Sequence, residues 1–97
     1  MRHFHRTHIS ADAVLSMADE YFQALKLDRK SSRPRGREYA GLLGTVVLTV
    51  GPEGGHYTRI DVATDQVGES RLDRNVKRFF VKVHSTADPS HALKAAY

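Results

Sequence analysis

Two runs of alternating side chains, GTVVLTV at residues 44–50 and HYTRIDVAT at residues 56–64, constrain the fold more than any other feature. In the first, Val46, Leu48 and Val50 alternate with Thr45, Val47 and Thr49; in the second, Thr58, Ile60 and Val62 alternate with Tyr57, Arg59 and Asp61. A period of two sends alternate side chains to opposite faces of a strand. β-Branched residues fill both runs, and the five-residue GPEGG between them supplies the turn. The pair reads as a β-hairpin with one apolar and one mixed face. Such a sheet must be covered on one side.

The cover comes from two segments whose period is helical. Ser10 is a good N-cap, and after it Ala11, Leu15, Ala18, Phe22 and Leu25 recur at spacings of three and four, flanked by Val14 and Tyr21. This predicts an amphipathic helix over 11–26. From Ser70 onward Leu72, Val76, Phe79, Phe80 and Val83 share a helical face. Glu69 and Asp73 precede Lys77, Arg78 and Lys82, the order that the helix macrodipole favours. Residues 2–9, with Phe4, Thr7 and Ile9, make a plausible first strand. The stretch DRKSSRPRGRE (28–38) has no apolar side chain except the proline ring and reads as a loop. The closing STADPSHALKAAY breaks at Pro89 and reads as a tail or short helix.

The expected order is therefore β-α-β-β-α. It forms an α+β fold in which an antiparallel sheet of three to four strands carries two helices on one face. Residues 1–84 make one small domain and 85–97 its tail. A sheet so narrow leaves open edges, which favours pairing with a second copy into a homo-oligomer, a dimer.

Composition narrows the function. The 97 residues include no cysteine, which removes disulfides, thiolate metal sites and cysteine nucleophiles together. No apolar run approaches the roughly 20 residues needed to span a bilayer. The basic start MRHFHRTH has no apolar core of a secretory signal, so the expected compartment is the cytoplasm. GPEGG lacks the Lys-Ser/Thr of a phosphate loop, and no Gly-x-Ser-x-Gly elbow occurs. The acidic series Asp61, Asp65, Glu69 and Asp73 lacks the alternation and central glycine of a calcium loop. Asp65 and Glu69 suit a turn and a helix start better than an acid–base pair. His3 and His5 fall on one face of the first strand, with His8 on the other, but no third ligand stands at metal-site spacing. Neither an enzyme, a metal site nor a cofactor is expected.

Basic residues are the most informative polar feature. Of 15 Lys and Arg, five (Arg29, Lys30, Arg33, Arg35 and Arg37) lie in 29–37. On the second helix, Arg71, Arg74, Arg78 and Lys82 project opposite the apolar face. Together these nine residues form a candidate polyanion-binding surface, with DNA or RNA as the first expected ligand.

The segments HISADAVLSMADEYF, GTVVLTVGPEGGHYTRIDVAT and SRLDRNVKRFFVKV resemble, in order and texture, the helix-grip proteins, the START-like and TATA-binding-protein-like group. A fainter similarity is to small proteins associated with polyhydroxyalkanoate granules. The helix-grip resemblance implies a half-length unit that pairs and binds through its open sheet face. It also implies an alternative, a START-like binder of an apolar or amphipathic molecule in a pocket shared between copies. No site residue carries over, because no motif is matched residue by residue.

Overall fold

Val46, Leu48 and Val50 on one strand and Ile60 and Val62 on the next are buried on the same side of a sheet, as their alternation predicts. The computed structural model describes residues 1–87. Its elements are β1 (Arg2–Thr7), α1 (Ala11–Ala24), β2 (Asp28–Arg33), β3 (Gly36–Gly41), β4 (Gly44–Glu53), β5 (Tyr57–Thr64) and α2 (Arg71–Ala87). The strands make one antiparallel sheet in the order β1-β5-β4-β3-β2. Both helices lie on one face, α1 over β2, β3 and β4 and α2 over β1 and β5, touching each other along the middle. Among the described residues no helix is long and apolar enough to cross a membrane.

The fold class is α+β, but the sheet has five strands rather than three or four, and the order is β-α-β-β-β-β-α. The difference lies in 28–41. The stretch expected to be a loop is β2, a two-residue link at Pro34 and Arg35, and the start of β3, with Arg33 paired to Gly36. β2 is an edge strand with almost every side chain exposed, so it has no apolar alternation to read. A register shift between Arg29 and Ser31 and a run of charge blunt this edge against further pairing.

The link between β4 and β5 is also shorter than GPEGG suggested. Gly51, Pro52 and Glu53 continue β4 opposite Arg59, Thr58 and Tyr57. A proline is tolerated there for a local reason. The Val50 N–H points away from β5 and reaches Arg35 O at 2.9 Å, and Pro52 faces the same way beyond the end of β3. Its missing N–H therefore costs no ladder bond.

α1 starts where Ser10 Oγ accepts the Ala13 N–H at 3.2 Å. It stops at Ala24, two residues before the expected end. The Lys26 N–H bonds Gln23 O at 3.0 Å and the Leu27 N–H bonds Phe22 O at 3.3 Å, a Schellman closure. It turns Leu27 into the core beside Phe22. α2 runs past residue 84 to Ala87; Pro89 and the rest of the expected tail lie outside the described residues. The Phe22 ring meets Tyr39 and Phe79, each with centroids 5.2 Å apart, and fills the space between helices and sheet.

Candidate anion-binding surface

α2 is held at a fixed rotation by a buried carboxylate in its first turn. Ser70 Oγ accepts the Asp73 N–H at 3.0 Å and donates back to Asp73 Oδ2 at 2.6 Å. Asp73 Oδ1 also accepts Thr64 Oγ1 and His3 Nε2, both at 2.8 Å, and its side chain is only 1% exposed. Burial pushes this carboxyl up, but the hydrogen bonds from Ser70, His3 and Thr64 together bring it below its ordinary value. It is therefore an anion that ties α2 to β1 and β5. With Leu72, Val76, Phe79 and Val83 turned to the sheet, the opposite face must look outward.

That outward face carries Arg71, Arg74, Arg78 and Lys82, all exposed. At 1.5 Å per residue they extend over about 16 Å of helix. Among the described residues, no carboxylate stands within ion-pair distance of Arg71, Arg74 or Arg78. With Asn75 they line a groove of about 260 Å³. Asn75 is held by Tyr21, whose Oη donates to its Oδ1 at 3.2 Å. Lys82 Nζ stands 5.8 Å from the Tyr21 ring centre, and Lys77 turns aside to Glu69 at 2.7 Å. Guanidinium groups without internal partners keep their N–H forks for an external oxyanion.

The other expected group fares differently. Asp19 on α1 accepts Arg29 Nη1 at 2.9 Å, Arg37 Nε at 3.1 Å and Tyr39 Oη at 2.7 Å. Burial, and then the bond to Asp19, push the Tyr39 hydroxyl far up, so it remains a donor. Arg37 is only 14% exposed, and its Nη1 also closes the β2–β3 turn onto Arg33 O and Gly36 O at 2.6 and 2.9 Å. Arg29 and Arg37 thus hold α1 to the hairpin. Lys30 lies 4.0 Å from Asp28, both well exposed. Arg33 and Arg35 are exposed at the turn. β2 is one edge of the sheet and α2 covers the other, with α1 between, so the nine residues do not gather into one surface. A signal for the Asp19 cluster did exist. Asp19 sits next to Ala18 and three residues before Phe22, so an acid borders the buried stripe and requires partners.

His3 and His5 do share the helix-covered side of β1. His3 is taken by Asp73. His5 stacks on Phe80 with centroids 5.2 Å apart and lies near His84 at 6.4 Å. Its Nε2 is buried with no hydrogen-bond partner. Burial, then the charge of His84, lower its pKa. His8 packs on Tyr57, centroids 4.5 Å apart. Among the described residues no group of three or more His, Asp or Glu side chains could hold a metal ion. Ser70, His3 and Asp73 do meet, but not as a nucleophile triad: hydroxyl and imidazole both point at the carboxylate, so the histidine is not placed to take the serine proton. No protein-family model matches the chain, and no curated protein matches it.

Proposed function

We propose that this protein is a non-enzymatic, self-associating binding module whose α2 face engages a polyanion, nucleic acid first. The observation that carries this reading is the exposed row Arg71, Arg74 and Arg78, without carboxylate partners among the described residues and extended by Lys82. One strand of a duplex presents a phosphate about every 3.4 Å of its axis, so the row is long enough to meet several. Exposed Arg33 and Arg35 form a separate, smaller contact. The antiparallel sheet with helices on one face suits the helix-grip plan at half length, and its uncovered face offers the surface for a second copy. The alternative, an apolar ligand held between copies, draws on a hollow of about 220 Å³ on that uncovered face, lined in part by Val47, Thr49 and Ala63.

Fluorescence anisotropy with labelled single- and double-stranded DNA and RNA tests the reading. Binding should weaken steeply between about 50 and about 200 mM salt. Replacing Arg71, Arg74 and Arg78 together by Ser should reduce affinity at least about tenfold and flatten the logarithmic salt slope by about 2–3. Arg33→Ser with Arg35→Ser should do less. Unchanged binding in the triple variant rejects the α2 site.

A further inference from the structure

One end of the molecule exposes apolar side chains, Leu42 foremost, while its neighbour Leu43 packs against the core. Leu42 and Leu43 form the two-residue link between β3 and β4, and Leu42 is fully exposed. Gly41 and Gly44 close this link, with Gly44 at φ +130°, so glycine meets the backbone demand and the tip is open to any polar residue. It carries leucine twice. Val67, in the loop before α2, is 88% exposed. The two loops are neighbours: the Thr45 N–H donates to Asp65 Oδ1 at 2.9 Å and the Asp65 N–H to Thr45 O at 3.2 Å. The Met1 ammonium reaches Gln66 O at 2.8 Å, which brings the half-exposed Met1 side chain to the same end.

Two cations border this tip on one side. A hollow of about 370 Å³ is lined by Leu25, Leu42 and Leu43 with Lys26 and Arg71. Lys26 adopts a left-handed φ of +67°, at the helix-closing position that usually takes glycine. Its side chain is exposed and has no ion-pair partner among the described residues. Of the acids nearby, Glu69 is paired with Lys77, while Asp65 accepts the Thr45 N–H and Gln66 Nε2, each at 2.9 Å, and keeps its negative charge. A lysine in a strained position beside the exposed Leu42 is a local conflict that the fold does not require.

We infer that this end is a membrane-docking surface for anionic lipid. Leu42 and Val67 enter the interfacial layer of the bilayer, while Lys26 and Arg71 rest on lipid phosphates. The chain lies on the membrane and does not cross it. A protein groove would also accept the two apolar side chains, but Lys26 and Arg71 beside the apolar tip complement an anionic headgroup layer. The inference shares Arg71 with the α2 row and otherwise stands apart from it.

The sequence has no tryptophan, so a Leu42→Trp variant carries a single reporter. Val81→Trp, exposed and about 15 Å further along α2 from Arg71, is the control. The variants are mixed with phosphatidylcholine vesicles, with and without phosphatidylglycerol. Emission at Leu42→Trp should shift to the blue with anionic vesicles only, and emission at Val81→Trp should not. Co-sedimentation with anionic vesicles should fall about tenfold in Leu42→Ser with Val67→Ser and several-fold in Lys26→Gly, both still folded by circular dichroism. A parent chain that stays in the supernatant, an apolar double variant that sediments equally, or an equal shift at Val81→Trp overturns the inference. Nucleic-acid binding retained by the Leu42→Ser, Val67→Ser variant separates this surface from the α2 row.

Discussion

Asp73 is the residue on which the placement of α2 depends. It accepts side-chain hydrogen bonds from Ser70, Thr64 and His3, two of them from residues 9 and 70 positions away. Replacing it by Ala leaves these donors facing a buried gap and should cost about 3 kcal/mol, measured as a fall in the urea midpoint at unchanged slope. Its position at a helix start is legible in the sequence, but its burial is not, because the partners come from distant segments. His5 is the second residue with a measurable consequence. Its pKa is below 6.5 in the fold, so as pH falls beneath 6.5 the unfolded chain takes up the proton first. Stability from this group is complete above pH 6.5 and lost as pH drops toward the folded value. His5→Phe, which can keep the stack on Phe80, should flatten the decline in stability between about pH 7 and about pH 5. An unchanged decline would assign it to other groups.

Among the elements, the helices and the β4–β5 hairpin were readable because each carries an apolar periodicity of its own. The β2–β3 hairpin was not. Its strand residues are polar on both faces of β2, and what recruits them is Asp19 on α1, gripping Arg29, Arg37 and Tyr39. Two of the expected phosphate-binding arginines are therefore structural ties. The end of α1 offers a second case. Lys26 closes the helix in a left-handed conformation, and Gly41 lets β3 approach so closely that a Cβ there would stand 2.8 Å from Lys26 O. Lys26→Gly removes the left-handed strain at a smaller entropic cost and should raise stability by about 0.5–1 kcal/mol in thermal or urea unfolding. A loss of stability would mean that the lysine side chain makes a compensating contact.

For the whole molecule, covering one face of a five-stranded sheet leaves the other to solvent or to a partner. On that face Phe4 is 57% exposed, with the Arg59 guanidinium 4.4 Å from its ring centre, and Val47 is also exposed. Arg6 and Arg59 alternate with Glu53 and Asp61 in ion pairs of 2.6–3.3 Å, a mixed-sign pattern that a second copy can complement. Sedimentation velocity should show a concentration-dependent dimer. Val47→Glu should weaken it while altering monomer stability by less than about 0.5 kcal/mol, because the side chain faces outward. A monomer at every concentration would remove self-association from the proposed function. The basic row runs along α2 and the apolar tip stands at the end where that helix starts, so the two surfaces meet at Arg71.

Local pattern was enough for what neighbouring residues decide together: the α+β class, both helices, the apolar faces of β4 and β5, and the outward arc of Arg71, Arg74, Arg78 and Lys82. In each case a period of two or 3.6 is written in consecutive residues. Only the tertiary structure decided which charges remain available. An arginine in a polar stretch has the same local appearance whether it meets water or Asp19. That outcome depends on where α1 lies over β2 and β3, which is set by packing Phe22, Tyr39 and Phe79 into one core. The same packing leaves Leu42 and Val67 outside it, where only a surface beyond the chain can bury them.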